Sequence, residues 1–231
     1  NAVTPLLHSD LFLVTHYLSS VQALFKQKLL LCHTMFDFND AEKDSASKAV
    51  KRTTLLELTE FVNSPAGQKL FTEAHMPDIV AMVRVNLFRD FPPLAPDFDP
   101  DQDEPVLEPA WPHLQVVYEF FLLFMVSTEV VGKVAKKYVD LPFIINWIDL
   151  FDTEDPRERD YVKTVLHRMY GKFMSHRSAI RKAITQVFYR HIYETGRHNG
   201  IGELLEILGS IINGFAVPLK KEHLGFLEKA L

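Results

Sequence analysis

A single cysteine, Cys32, in a chain of 231 residues rules out an internal disulfide and suits a reducing compartment. It sits in the apolar run LLLCHTMF, the setting of a buried, inert thiol and not of a nucleophile. Long apolar runs are also missing. Residues 29–32 and 120–126 fall well short of the ~20 needed to cross a bilayer and are flanked by polar groups. No secretory signal is visible at the start, although Asn1 is not a natural initiator and the true beginning is expected to be missing. An intracellular, soluble protein with no membrane partner is expected.

Catalytic signatures are equally sparse. There is no Walker sequence, no G-x-S-x-G elbow and no HExxH. Gly200-Ile201-Gly202 lacks the third glycine of a dinucleotide loop, since Leu205 stands there, and no strand precedes it. The ten histidines are scattered; neither Cys32-His33 nor His191 with His198 has metal-ligand spacing, so no metal and no cofactor is expected. Strict apolar–polar alternation is absent too, which removes the usual signal for strands.

What the chain has is helical periodicity. Residues 21–36 place Leu24, Phe25, Leu29, Cys32 and Phe36 on one side; 48–62 do so with Val50, Leu55, Leu58, Phe61 and Val62. Residues 76–91 repeat the pattern, and further helices are predicted over 111–127, 129–139, 142–151, 156–174, 177–194, 201–215 and 220–231. Asp155-Pro156 is a clear start, with a capping carboxylate followed by a proline suited to the first turn. About ten helices paired at a spacing of roughly 40 residues suggest one all-α HEAT/armadillo-like solenoid over 1–231, with a globular bundle as the alternative. Residues 92–112 break the rhythm. They hold seven prolines, and six acids without a base lie between Asp97 and Glu108, so an irregular acidic loop is expected.

Charge is uneven. The chain carries formal charge -5, yet residues 162–197 hold eight Lys and Arg against the single acid Glu194. Concentrated positive charge on a helical surface attracts an anionic partner. On the helix at 161–174, Val162, Leu166, Met169, Tyr170 and Phe173 form an apolar stripe, while Thr164, His167, Arg168 and Gly171 form a donor-rich side. Arg168 with His167 suits a carboxylate, because a guanidinium can bond both oxygens; a surface Arg with a capping His is the plainer alternative. On 201–215 the apolar arc is wide, about 160° at helical pitch, with Ile207 and Ile211 at one edge. Two readings stand: an inner helix buried on both sides, or an edge that forms a shallow apolar slot on a concave face. Slot and cations together describe a dock for a short peptide with apolar anchors and an acid, and Lys220 and His223 extend the positive rim. A nucleic-acid-binding helical repeat is the competing class. The negative total and the lack of repeated aromatics among the basic residues weigh against it, and no nucleic-acid partner is expected.

Several long segments carry a resemblance: KQKLLLCHTMFDF at 26–38, FDPDQDEPVLEPAWPHLQVVYEFF at 98–121, AKKYVD at 135–140, LFDTEDPRERD at 150–160, LHRMYGKF at 166–173, FYRHIYET at 188–195 and HNGIGELLEILGSIINGFAVPLK at 198–220. In these the chain resembles the B-prime family of regulatory subunits of protein phosphatase 2A, from about residue 26 onward. The resemblance implies a non-catalytic HEAT-like solenoid, incomplete relative to the longer family, that joins scaffold and catalytic subunits. It also implies that the chain docks LxxIxE motifs, often with acidic or phosphorylated neighbours, and is both cytoplasmic and nuclear. By the same resemblance the peptide-binding positions are Thr164, His167, Arg168, Tyr170, Arg177, Glu206, Ile207, Ile211, Lys220 and His223. Tyr170, Arg177 and Glu206 come from the family alone. Residues 9–20 and 126–132 depart from the family pattern.

Overall fold

The computed structural model describes residues 19–91 and 104–230, and every regular element among them is helical. They are α1 (19–31), α2 (Ser45–Asn63), α3 (Pro65–Gln68), α4 (Met76–Leu87), α5 (Trp111–Val126), α6 (Gly132–Ala135), α7 (Leu141–Asp149), α8 (Pro156–Lys172), α9 (Arg177–Arg190), α10 (Ile201–Asn213) and α11 (Lys221–Ala230). Helices α2, α5, α8 and α10 pack side by side in that order, while α7, α9 and α11 form a second row and α4 lies against α5. This is a helical-repeat solenoid. Helices α5, α8 and α10 begin at Trp111, Pro156 and Ile201, a register of 45 residues.

Local chemistry sets the starts. Asp155 accepts from the Arg157 amide and Pro156 opens α8; Asp140 does the same for Phe143, with Pro142 in the first turn of α7. Ser64 caps α3, a short helix the periodicity does not show. The helix expected over 129–139 shrinks to α6. Lys172 Nζ donates to the carbonyls of Ser127 and Val130 at 2.7 and 3.0 Å, holding that stretch out of helix. At Gly132 a Cβ would lie 2.8 Å from the Lys172 carbonyl oxygen, so only glycine passes there. The helix expected over 177–194 stops at Arg190 and continues as a π-helical turn, His191–Thr195.

Helix α2 also corrects the sequence reading. Val50 is 55% exposed, and Lys51 takes the inward position at 2%. Its Nζ donates to Thr34 O at 2.7 Å and Asn86 Oδ1 at 2.6 Å, and Asn86 donates to Cys32 O and Met82 O, so α2, α4 and the turn after α1 share one polar knot. Burial pulls the Lys51 amine down to about 8 and pushes the Cys32 thiol up to about 11, leaving the thiol protonated and inert. On α1, Leu24 is likewise exposed; Phe25 and Leu29, with Cys32 in the turn that follows, carry the contact.

A second knot holds the middle of the solenoid. Glu158 is fully buried and accepts from Arg89 through both oxygens (2.6 and 2.8 Å), from Tyr118 Oη (2.7 Å) and from Thr153 Oγ1 (2.7 Å). Arg89 also donates to Glu108 at 2.9 Å, and the amides of Val106 and Glu108 donate to Glu154 and Asp155. The segment leading into α5 is thereby pinned to the start of α8. Of the acidic loop expected at 92–112, residues 92–103 lie outside the described residues; 104–110 are non-helical. Around the knot Tyr118, Phe121, Phe143 and Trp147 pack as a ring cluster, with Trp147 Nε1 donating to Val162 O.

Candidate functional site

Between the C-terminal half of α8, the start of α9, the end of α10 and the turn into α11 lies a groove of about 850 Å³. Its lining includes His167, Arg168, Tyr170, Arg177, Ile211, Lys220 and His223, seven of the ten positions named from the sequence. Helix α8 brings the first three because residues 167, 168, 170 and 171 fall opposite or beside the buried line Val162, Leu166, Met169. Arg168 and His167 are exposed on it, and His167 Nε2 meets Ser210 Oγ of α10 at 3.2 Å.

Two arginines of α9 reach back to Tyr170. Arg177 Nε donates to its carbonyl at 2.9 Å and the guanidinium stacks 5.1 Å from its ring centroid; Arg181 Nη1 donates to its hydroxyl at 2.9 Å. Tyr170 is therefore fixed by both ends, and the floor of the groove is rigid. His223 stacks flat on Phe215, with centroids 4.0 Å apart and planes 2° apart. The ring centroids of Phe215 and Phe226, themselves 6.3 Å apart, lie 5.9 and 5.7 Å from the Arg181 guanidinium, together on one side of it. Lys172 is drawn toward neutrality by its burial and Arg181 is also buried, while Arg168 and Lys220 are exposed.

The remaining three positions lie outside the lining. Thr164 sits one turn before Arg168 on α8, half-buried. Glu206, exposed on α10, accepts from Lys163 at 2.8 Å, and that bond raises the Lys163 pKa. Ile207 is 2% exposed and Ile211 4%. An open slot bounded by both isoleucines is thus not what the sequence delivers: α10 is flanked by α8 and α9, the core takes Ile207, and only the edge of Ile211 reaches the groove. The apolar lining comes instead from Met125, Val126, Met174 and Phe215.

Sequence reasoning counts Arg181 among the basic residues but gives it no place here. Its i,i+4 spacing from Arg177 is the available signal. Among the described residues no group of three or more His, Cys, Asp or Glu could hold a metal ion, and no helix is long and apolar enough to cross a membrane. A second cavity, about 610 Å³, lies between the end of α4, α7 and the π-helical turn. Two of its cations face acids: Arg190 lies 3.6 Å from Asp149, and His198, drawn toward neutrality mainly by burial, lies 3.9 Å from Asp152. The groove beside α8 sets five Lys and Arg against one carboxylate, Glu222, 3.6 Å from Arg181.

Comparison with known proteins gives one family match. Residues 15–231 match the B56 family model, described as protein phosphatase 2A regulatory B subunit. The beta isoform of the B' 57 kDa regulatory subunit of serine/threonine protein phosphatase 2A from Arabidopsis thaliana is 54% identical over 219 residues, which is 92% of this chain and 44% of that protein. The alpha isoforms of the 56 kDa regulatory subunit of Mus musculus and Homo sapiens are each 55% identical over 211 residues, 91% of this chain and 43% of theirs. The chain spans less than half the length of the curated relatives it matches.

Proposed function

Because the chain belongs to the B56 family of regulatory B subunits of protein phosphatase 2A, we propose that it is the substrate-docking part of such a subunit. It captures LxxIxE-type acidic peptides in the groove beside α8 and leaves dephosphorylation to a catalytic subunit, in an assembly with the scaffold subunit, in both cytoplasm and nucleus. In this reading residues 1–231 form one helical-repeat domain. The observation that carries it is the groove's charge: Arg168, Lys172, Arg177, Arg181 and Lys220 line it with one carboxylate among them.

The mechanism has two stages. Positive potential over the groove gathers an acidic segment and speeds its encounter. The peptide glutamate then pairs with Arg168, whose planar fork suits both oxygens, and with His167, held toward α10 by Ser210. Apolar side chains of the peptide cover the surface formed by Met174, Phe215 and the edge of Ile211. Each well-buried aliphatic anchor contributes about 1.5–3 kcal/mol before ordering is subtracted, so an affinity near micromolar is expected. Titration of a labelled LxxIxE peptide into the chain and into Arg168→Glu tests this. Charge reversal weakens binding at least about tenfold, and replacing the peptide glutamate by alanine does the same. Equal binding by all pairs removes the assignment; tight binding of an oligonucleotide at the same salt favours a nucleic-acid scaffold instead.

A further inference from the structure

Where α6 ends, α7 begins and the 3₁₀ turn Met174–His176 leads into α9, the surface holds a recess of about 480 Å³. It is a different place from the groove, with which it shares only Ser175 and Ser178. Lys136, Lys137 and Lys182 line it, with no aspartate or glutamate. Lys137 is taken by Glu73 at 2.7 Å. Lys136 and Lys182 are exposed, and among the described residues neither has an acid partner. Asp140, the one acid between Glu129 and Asp149, is engaged by Arg84 at 2.6 Å and by the Phe143 amide at 2.9 Å. His176 lines the same recess, and its buried Nε2 has no partner. The hydroxyls of Ser175 and Ser178 are likewise unbonded among the described residues. Helix α9 starts there with no acid in its first turn and no side-chain cap, so the positive end of its dipole is uncompensated. Like charges gathered without a counter-charge repel, and a buried ring nitrogen left unbonded costs free energy. An entering oxyanion relieves both.

We infer that this recess is a second binding site, for a phosphorylated polyol of the inositol phosphate kind, free or carried as a lipid headgroup. The lining selects the class. Its volume suits a small ligand. No Phe, Tyr or Trp lines it, so a nucleobase finds no ring platform on which to stack. Lys136 and Lys182 come from separate parts of the fold and are served best by more than one anionic group, each phosphate bringing about −1.5 to −2 charge and three acceptor oxygens. The ammonium groups meet phosphate as compact point charges, and the serine hydroxyls donate to phosphate or ring hydroxyl oxygens. Peptide docking is not needed for this site, since neither lysine lines the groove.

The test titrates the chain with inositol trisphosphate and compares wild type with Lys136→Gln/Lys182→Gln. Lys133→Gln, which removes a lysine of α6 outside the recess, controls for general surface charge. The double variant weakens binding at least about tenfold, whereas Lys133→Gln shifts it by less than about twofold. Either single variant gives a smaller loss in the same direction and serves should the pair melt early. Arg168→Glu locates the ligand, because the groove is also cationic. Sedimentation with vesicles carrying phosphatidylinositol bisphosphate separates the sources. Capture that the double variant loses assigns the lipid-borne headgroup; binding of inositol trisphosphate without capture assigns the free polyol. No binding by wild type, equal loss in Lys133→Gln and the double variant, or loss in Arg168→Glu but not in the double variant overturns the inference.

Discussion

Arg89 and Arg181 are both guanidiniums taken largely out of water, and the molecule treats them in opposite ways. Arg89 is gripped by both oxygens of Glu158 and by Glu108, and although its own burial opposes its charge, Glu158 more than offsets this and raises its pKa. Arg181 has a tyrosine hydroxyl, two rings and a carboxylate 3.6 Å off. The first is saturated with acceptors and holds the chain together. The second ties Tyr170 into the groove and keeps a looser carboxylate partner. A buried arginine alone does not say which it is; the partner distances do.

The comparison can be broken most severely at its closed end. Arg89→Met leaves Glu158 buried and unpaired, and a loss of about 3–5 kcal/mol is expected, read as a fall in chemical-denaturation midpoint. Arg181→Met leaves only an exposed Glu222 and a tyrosine hydroxyl behind, so its loss stays under about 1.5 kcal/mol. If both variants lose equally, the distinction between a tightly and a loosely held arginine is wrong.

The next effect comes from Lys51, a buried amine that bonds only neutral oxygens. Its folded pKa of about 8 lies below the ordinary 10.5, because burial penalises the charged form. The unfolded chain therefore holds the proton over pH 8 to 10.5 while the folded chain has released it, and the Lys51 contribution to stability rises with pH across that window. Denaturation of wild type and Lys51→Met at about pH 7.5 and pH 10 checks this. The wild type gains relative to the variant as pH rises, and a gain of the opposite sign refutes it. The smallest effect is at the surface. Glu206→Gln removes an exposed ion pair with Lys163 and changes stability by less than about 1 kcal/mol. A large loss of peptide binding in the same variant gives Glu206 a role that its place outside the groove lining does not suggest.

Much of the helical frame is legible in the chain, because Asp155-Pro156 and Asp140 with Pro142 carry their start signals within a single turn. The segment 129–139 is not legible, since carbonyls at its start are taken by Lys172, over 40 residues downstream. Of the groove's basic residues, His167 and Arg168 can be named from spacing on α8. The closure of Ile207 cannot, because periodicity shows that an arc is apolar and not how many neighbours cover it. Arg181 is hidden for the same reason: Phe215 and Phe226, which bury it, arrive from segments far along the chain.

The short 3₁₀ turn at Met174–His176 sets the angular phase between α8 and α9. One residue added there turns everything after it by about 100° and carries Arg177 and Arg181 off Tyr170 together. The approach to α5 has no such duty, since it is fastened by its own ion pair just before Trp111. The turn is therefore where the chain's length is tied to the placing of both arginines on Tyr170.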